Sequence, residues 1–149
     1  MVIQRIQSVY LLIAVILMVV FAFFPALTFE LGGRNFVYGA LEAGKVGVTH
    51  IDPLMLTLVI LISLIALMDI FLYRNLQRQM TVCFVDIIIA IAMLVAIGIV
   101  AIVQSRREGI IITAQWSLIF PVLSIVMLML AHKAMSNDKK KLLDADRLR

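Results

Sequence analysis

The sequence predicts an all-α membrane protein, a four-transmembrane-helix bundle with a small extracytoplasmic β-hairpin in the first loop. Composition is the first reason: 64% of the 149 residues are hydrophobic and 15% are charged, against roughly 45–50% and ~25% in soluble domains. The second reason is the arrangement of the apolar residues, which form four long runs separated by polar segments. Lipid must therefore be the solvent for much of the surface.

Each apolar run is long enough to cross a bilayer as one helix. A hydrocarbon core of ~30 Å needs about 20 helical residues, since each adds roughly 1.5 Å. The predicted spans cover residues 6–29, 53–73, 81–103 and 109–133, within a transmembrane domain of residues 1–135. Residues 136–149 form a predicted basic cytoplasmic tail, which we expect to be helical. Pro121 lies inside the fourth span and predicts a bend there.

The outer loop, residues 28–52, has the alternating pattern of a hairpin near residues 29–38. Its two halves flank Gly32 and Gly33, and a Gly-Gly loop suits the primed turns that match strand twist. Residues 46–51 are a candidate for a third short strand. Asp52 and Pro53 then predict the cap and first position of the second helix. His50 lies nearby, but two potential ligands do not make a metal site, so we predict none.

Lysine and arginine are distributed as expected for a protein with both termini in the cytoplasm. In that orientation nine basic residues lie inside and four outside, which agrees with the positive-inside rule. The inner set is Arg5, Arg74, Arg78, Lys133, Lys139, Lys140, Lys141, Arg147 and Arg149, and the outer set is Arg34, Lys45, Arg106 and Arg107. The last five inner residues are candidate contacts for a partner protein or for anionic lipid.

Asp69 and Asp86 lie inside the second and third predicted spans. Ionisable groups in a span are functional candidates by default. We expect the two carboxylates to form a buried polar pair at similar depth, about 6–8 Å below the surface. The favoured interpretation is structural, with hydrogen bonds or ion pairs joining helices two and three. The candidate charge partners are Arg5, Arg74, Arg78 and Lys133.

Four segments of the chain carry a resemblance to a known family. They are Met1-Val-Ile-Gln-Arg-Ile-Gln-Ser-Val-Tyr-Leu-Leu12, Ile70-Phe-Leu-Tyr-Arg-Asn75 with Gln77, Trp116 with Pro121, and Asp146-Arg-Leu-Arg149. These segments resemble the bacterial domain-of-unknown-function family 4293, and the similarity covers nearly the whole chain. The resemblance implies a small four-span protein of the bacterial cytoplasmic membrane. It implies no activity, because that family has no assigned catalytic residues.

The motifs needed for common enzyme chemistry are missing from the sequence. It has no Gly-rich phosphate loop, no spaced Cys/His ligand set and no nucleophile–base arrangement, so we predict no catalytic, cofactor or metal residues. Cys83 is the single cysteine and is expected to be a small buried hydrophobe. Charges are not interleaved with aromatic residues as in a nucleic-acid platform.

These observations predict a non-catalytic integral membrane protein, an accessory or scaffold subunit of a larger inner-membrane assembly. The alternatives are a small proton-coupled transporter and a membrane-interface enzyme, either of which would use Asp69 and Asp86. The helix centres argue against a transport path, because they offer little polarity beyond Ser63 and Ser124.

Overall fold

The computed structural model describes the backbone of all residues except 1, 42, 46–47, 51, 73, 107–108 and 148–149. Side-chain environments are described for residues 6–41, 52–72, 74–106 and 109–144. In chain order the elements are α1 (Val2–Ala22), β1 (Leu27–Leu31), β2 (Arg34–Tyr38), β3 (Ala43–Lys45), β4 (Val48–His50), α2 (Pro53–Phe71), α3 (Leu76–Ser105), β5 (Ile110–Ala114) and α4 (Ile119–Arg147). A short 3-10 turn, Trp116–Leu118, precedes α4.

The four helices form a ring around one hydrophobic core. Helix α1 packs against α2 and α4, and α3 packs against the same two neighbours. Large apolar side chains fill the centre, and Leu11, Met18, Ile62, Met93 and Leu128 are at most 1% exposed. Close packing of this kind makes the interior a filled core.

Much of the outer surface of the ring is also apolar. Along α3 the side chains of Phe84, Ile88, Ile91 and Val95 are all about half exposed. Three helical segments are long and apolar enough to cross a membrane: Pro53–Phe71, Leu76–Ser105 and Trp116–Asp144. The searched part of α1, Ile6–Ala22, is a shorter apolar helix. Helices with apolar residues on all sides are typical of membrane proteins.

The structure confirms the predicted β-hairpin. Strands β1 and β2 are antiparallel with Phe29 opposite Phe36. Gly32 and Gly33 form the two-residue turn with φ values of +56° and +74°, the left-handed conformation that a type I′ turn requires at both positions. Strand β4 lies in the region predicted to hold a third strand, although residues 46, 47 and 51 lie outside the described residues.

The sheet is larger than the sequence predicted, with strand order β4-β3-β2-β1-β5. Residues 110–114 lie within the predicted fourth span, but they form β5, which pairs antiparallel with β1. An apolar run cannot be assigned to helix or strand by periodicity alone, and the β-branched Ile110-Ile-Ile-Thr113 favours the strand. Helix α4 therefore begins at Ile119, and Pro121 lies in its first turn, where a missing backbone N–H leaves no bond unmade. The bend predicted at Pro121 is wrong for this reason.

The helix boundaries also differ from the predicted spans. Helix α1 ends at Ala22 because the chain turns at Pro25 to enter β1. Helix α3 begins at Leu76, five residues before the predicted start. The predicted helical tail is confirmed, but it continues α4 without a break, so the predicted boundary at residues 135–136 lies inside one helix.

Candidate functional site

Two aspartates form the centre of the candidate site. The side chains of Asp69 on α2 and Asp86 on α3 are 1% and 0% exposed, which agrees with the predicted burial of this pair. All four of their carboxylate oxygens are buried and have no hydrogen-bond partner among the residues that the structure describes. Because buried polar side chains are almost always hydrogen-bonded, such exceptions require an explanation.

The prediction that the two aspartates lie at similar depth is wrong. The Gln79 side chain donates from Nε2 to the Asp69 carbonyl oxygen at 3.1 Å, so Asp69 is level with the start of α3. Asp86 follows Gln79 by seven residues, which is about 10 Å along the helix axis. Helical side chains lean toward the N-terminus, so in this antiparallel pair the two carboxyl groups lean toward each other.

Cys83 lies beside both carboxyl groups and was not predicted to belong to the site. Its side chain is fully buried, and its Sγ donates to the Leu128 carbonyl oxygen at 3.4 Å. The thiol interacts electrostatically with Asp69 and with Asp86. Residues 79, 83 and 86 are spaced by four and three along α3, the spacing that places side chains on one helix face. That spacing was the sequence signal for a polar face extending beyond the two acids.

A further buried polar contact lies at the same end of the bundle. Gln7 on α1 is 1% exposed, and its Nε2 donates to the Asp138 carboxylate of α4. This hydrogen bond joins the start of α1 to the charged end of α4. The turn-side half of the bundle therefore contains buried polar side chains from α1, α2 and α3, and the partly buried Asp138 from α4.

Three of the four predicted partners of the two aspartates form no bond with them. Arg74, Arg78 and Lys133 are exposed, and within the described residues none of them bonds to either carboxyl group. Long cationic side chains extend toward water because burying their charge is costly. The Arg5 side chain, the fourth candidate partner, lies outside the described residues.

The tail residues that are predicted to contact a partner or lipid differ in their solvent exposure. Lys140 and Lys141 are exposed, and Lys139 is partly buried. The Arg147 side chain and all of Arg149 lie outside the described residues. The tail lysines therefore occur on a continuous helix and not on a separate segment.

The other half of the bundle interior is apolar. On α3, the buried face beyond Asp86 continues with Ala90, Met93 and Ile97. Two buried serines occur on α2 and α4, and their hydroxyls donate to backbone carbonyl oxygens: Ser63 to Val59 at 2.8 Å, and Ser124 to Ala14 at 3.2 Å. In the described chain, the polar part of the interior therefore ends near Asp86.

Polar contacts outside the helical core hold the sheet against the bundle. The Asp52 carboxylate accepts hydrogen bonds from the backbone N–H groups of Leu54 and Met55 at 3.0 and 3.1 Å, which confirms the predicted cap of α2. It also accepts a hydrogen bond from the Tyr38 hydroxyl. The pKa of Tyr38 is raised to about 12, mainly by burial and also by the charge and hydrogen bond of Asp52.

An ionised carboxylate buried without a counter-charge is destabilised by several kcal/mol. Asp69 and Asp86 must therefore gain a proton, a cation or a polar partner to be stable where they lie. The described residues contain no group of three or more His, Cys, Asp or Glu side chains that could hold a metal ion.

The apolar helices and the exposed hydrophobic surface define a mostly helical membrane protein with a small sheet. Residues 3–148 match the family described as Domain of unknown function (DUF4293), so the chain belongs to that family. This match confirms the resemblance found in the sequence. No curated protein matches the chain.

Proposed function

We propose that the protein is a non-catalytic, four-span protein of the bacterial cytoplasmic membrane that serves as an accessory or scaffold subunit of a larger assembly. The observation that carries this proposal is the filled interior: among the described residues, the polar groups stop near Asp86 and apolar side chains close the remainder. Such a bundle offers no continuous polar route. Its function then depends on its outer surfaces.

The positions of the charges support an orientation with both termini in the cytoplasm. Arg74 and Arg78 are exposed at the turn between α2 and α3, at the end of the bundle where α4 also terminates. Basic residues concentrate on the cytoplasmic side of membrane proteins. The sheet then lies on the extracytoplasmic side.

The charged end of α4 provides one docking surface. Helix α4 has 29 residues and is about 43 Å long at a rise of roughly 1.5 Å per residue. A hydrocarbon core is ~30 Å thick, so the last turns, with Lys139, Lys140 and Lys141, extend beyond it. An acidic partner or anionic headgroups would complement these lysines, which contribute about 1 kcal/mol each near an anionic surface.

The sheet provides a second docking surface on the other side. Strand β5 is at the edge of the sheet, and its Ile111 side chain is 64% exposed. Exposed edge strands can pair with a strand of another chain. Glu30, Arg34 and Asn35 are exposed near the hairpin turn and would border such a contact.

Co-purification in a mild detergent tests the subunit role. The wild-type chain should retain a stoichiometric partner, and replacement of Lys139, Lys140 and Lys141 by Gln should release a partner bound at the cytoplasmic side. A matched Ile111→Thr variant should release one bound at the sheet. Consistent isolation of a monomer, with chemical crosslinking in intact cells giving no adduct, would refute the proposal.

A small proton-coupled device is the second candidate, and the buried, unpartnered carboxyl groups of Asp69 and Asp86 favour it. In this candidate, protons reach the pair from the turn side and change the packing of α2 against α3. Asn variants distinguish the two functions, because Asn keeps the shape but cannot carry the negative charge. Folded Asn variants that support normal growth would exclude the proton-coupled function.

A further inference from the structure

An open groove runs along the outer surface between α2 and α3. Its apolar part has a volume of about 260 Å³ and is lined by Ile65, Met68, Leu72, Thr81, Val82 and Val85. Toward the turn it meets a more polar cavity of about 580 Å³, lined by Leu72, Asn75, Gln77, Arg78, Thr81 and Val82. Because Leu72, Thr81 and Val82 line both, the two form one continuous cleft, which we call the α2–α3 cleft.

The two parts of the α2–α3 cleft differ in chemistry. The apolar part lies beside helical segments suited to the hydrocarbon core. The polar part lies at the turn, where Arg78 is exposed and Arg74 is nearby in sequence. The first turn of α3 contains no acidic residue. The cleft is therefore apolar at one end and cationic at the other.

We propose that the α2–α3 cleft binds one anionic phospholipid, with its phosphate at Arg78 and one acyl chain between α2 and α3. The charge and polarity of such a lipid complement the cleft along its whole length. A second copy of this chain would bring the same cationic turn against Arg78, and like charges at close range repel. The proposal depends on placement of the bundle in a membrane but not on the accessory role.

The cleft also lies directly behind the buried acid pair. Met68 lines its apolar part and immediately precedes Asp69, whose side chain points into the bundle. An acyl chain against Met68 would restrain the last turns of α2. The bound lipid thus acts as a clamp on the helix pair that carries Asp69 and Asp86.

Native mass spectrometry of the full-length protein in a non-ionic detergent tests this assignment. The protein is titrated with phosphatidylglycerol or with phosphatidylcholine carrying identical acyl chains. We expect a first phosphatidylglycerol to bind more tightly than phosphatidylcholine. Arg78→Gln should weaken phosphatidylglycerol binding roughly fivefold, as expected for loss of one favourable basic contact, and should leave phosphatidylcholine binding unchanged. Arg78→Lys should restore the preference.

Two further variants serve as controls. Arg106→Gln removes the same charge at the far end of α3, where Arg106 is exposed, and should change neither affinity. Val85→Trp fills the apolar part from a side chain that is 45% exposed, so it should weaken binding of both lipids without unfolding the bundle. Equal affinity for the two lipids, or equal effects of Arg78→Gln and Arg106→Gln, would overturn the proposal. Displacement of phosphatidylglycerol by millimolar inorganic phosphate would also overturn it, because the cleft would then be a simple anion site.

Discussion

Replacement of Asp86 by valine tests the unpaired state of the buried acids most directly. In most cores, removal of a buried polar side chain is destabilising because a partner loses its hydrogen bond. The described residues provide no such partner for the Asp86 oxygens. Asp86→Val therefore removes an unsatisfied group and leaves none behind, so we expect it to stabilise the protein.

The expected size of the effect follows from three terms. Relief of one buried unsatisfied polar group contributes about 1–3 kcal/mol. Valine and aspartate both have intrinsic helix propensities a few tenths of a kcal/mol less favourable than that of alanine. The substitution therefore changes helix propensity very little. Asp86 is 0% exposed, and the slightly larger valine offsets part of the gain through crowding, on the order of 1 kcal/mol. The net expectation is a stabilisation of up to about 2 kcal/mol.

Thermal unfolding followed by circular dichroism in detergent measures this change. A gain of about 2 kcal/mol corresponds to a rise in Tm of roughly 4–8 °C for a chain of this size, and a smaller gain to a proportionally smaller rise. Asp86→Asn keeps the shape and the unsatisfied polar atoms, so its Tm should stay close to that of the wild type. Ile87→Val, at the adjacent core position, should lower stability by about 0.5–1.5 kcal/mol and shows that the assay detects packing.

A lower Tm for Asp86→Val, together with an unchanged Tm for Asp86→Asn, would refute the reasoning. That result would mean that the carboxyl group has a hydrogen-bonding partner. The Asn amide would keep this hydrogen bond, and valine would lose it. Growth of a strain carrying each variant adds the functional readout. If both variants fold and both fail to support growth, the carboxyl group itself is required for function.

Three other predictions concern the sheet and the orientation. The pKa of Tyr38 is raised from 10.0 to about 12 in the folded state. The stability that the protonated Tyr38 contributes is therefore complete below pH 10 and is lost as the pH rises to 12. Tyr38→Phe should remove this loss in a pH series of thermal unfolding. Gly33→Val should lower the free energy of unfolding by about 1–2 kcal/mol in urea titration, because Gly33 has φ +74° and a β-branched residue is strained there; an unchanged value would contradict the assigned turn. A cysteine at Asn35 should react with a membrane-impermeant thiol reagent in intact cells and one at Asn75 should not, and the reverse pattern would invert the proposed topology.

Features that depend on local chemistry could be predicted from the sequence. Asp52 and Pro53 define the start of α2 because a side-chain cap and a fixed φ act within a few residues. The hairpin turn follows from Gly32 and Gly33, since few other residues accept two consecutive positive φ values. The burial of Asp69 follows from its position in an apolar run.

Features that depend on pairing between distant segments could not be predicted. Strand β5 is stabilised by β1, some 80 residues earlier in the chain, and the periodicity of residues 110–114 alone does not distinguish a strand from a helix. The depth of Asp86 depends on where α3 starts, and a shift of five residues moves a side chain by about 7 Å along the axis. The same shift removes the expected contacts with Arg74 and Arg78.

The pairing of β1 with β5 gives the molecule two mechanically different ends. Strand β1 belongs to the connection between α1 and α2, and β5 belongs to the connection between α3 and α4. Their backbone hydrogen bonds fasten one helical hairpin to the other at the sheet. At the opposite end the two hairpins are joined by the turn between α2 and α3 and by side-chain contacts such as that between Gln7 and Asp138. The two helical hairpins are therefore held together by a backbone ladder on the sheet side, and by one chain crossing with side-chain contacts on the other.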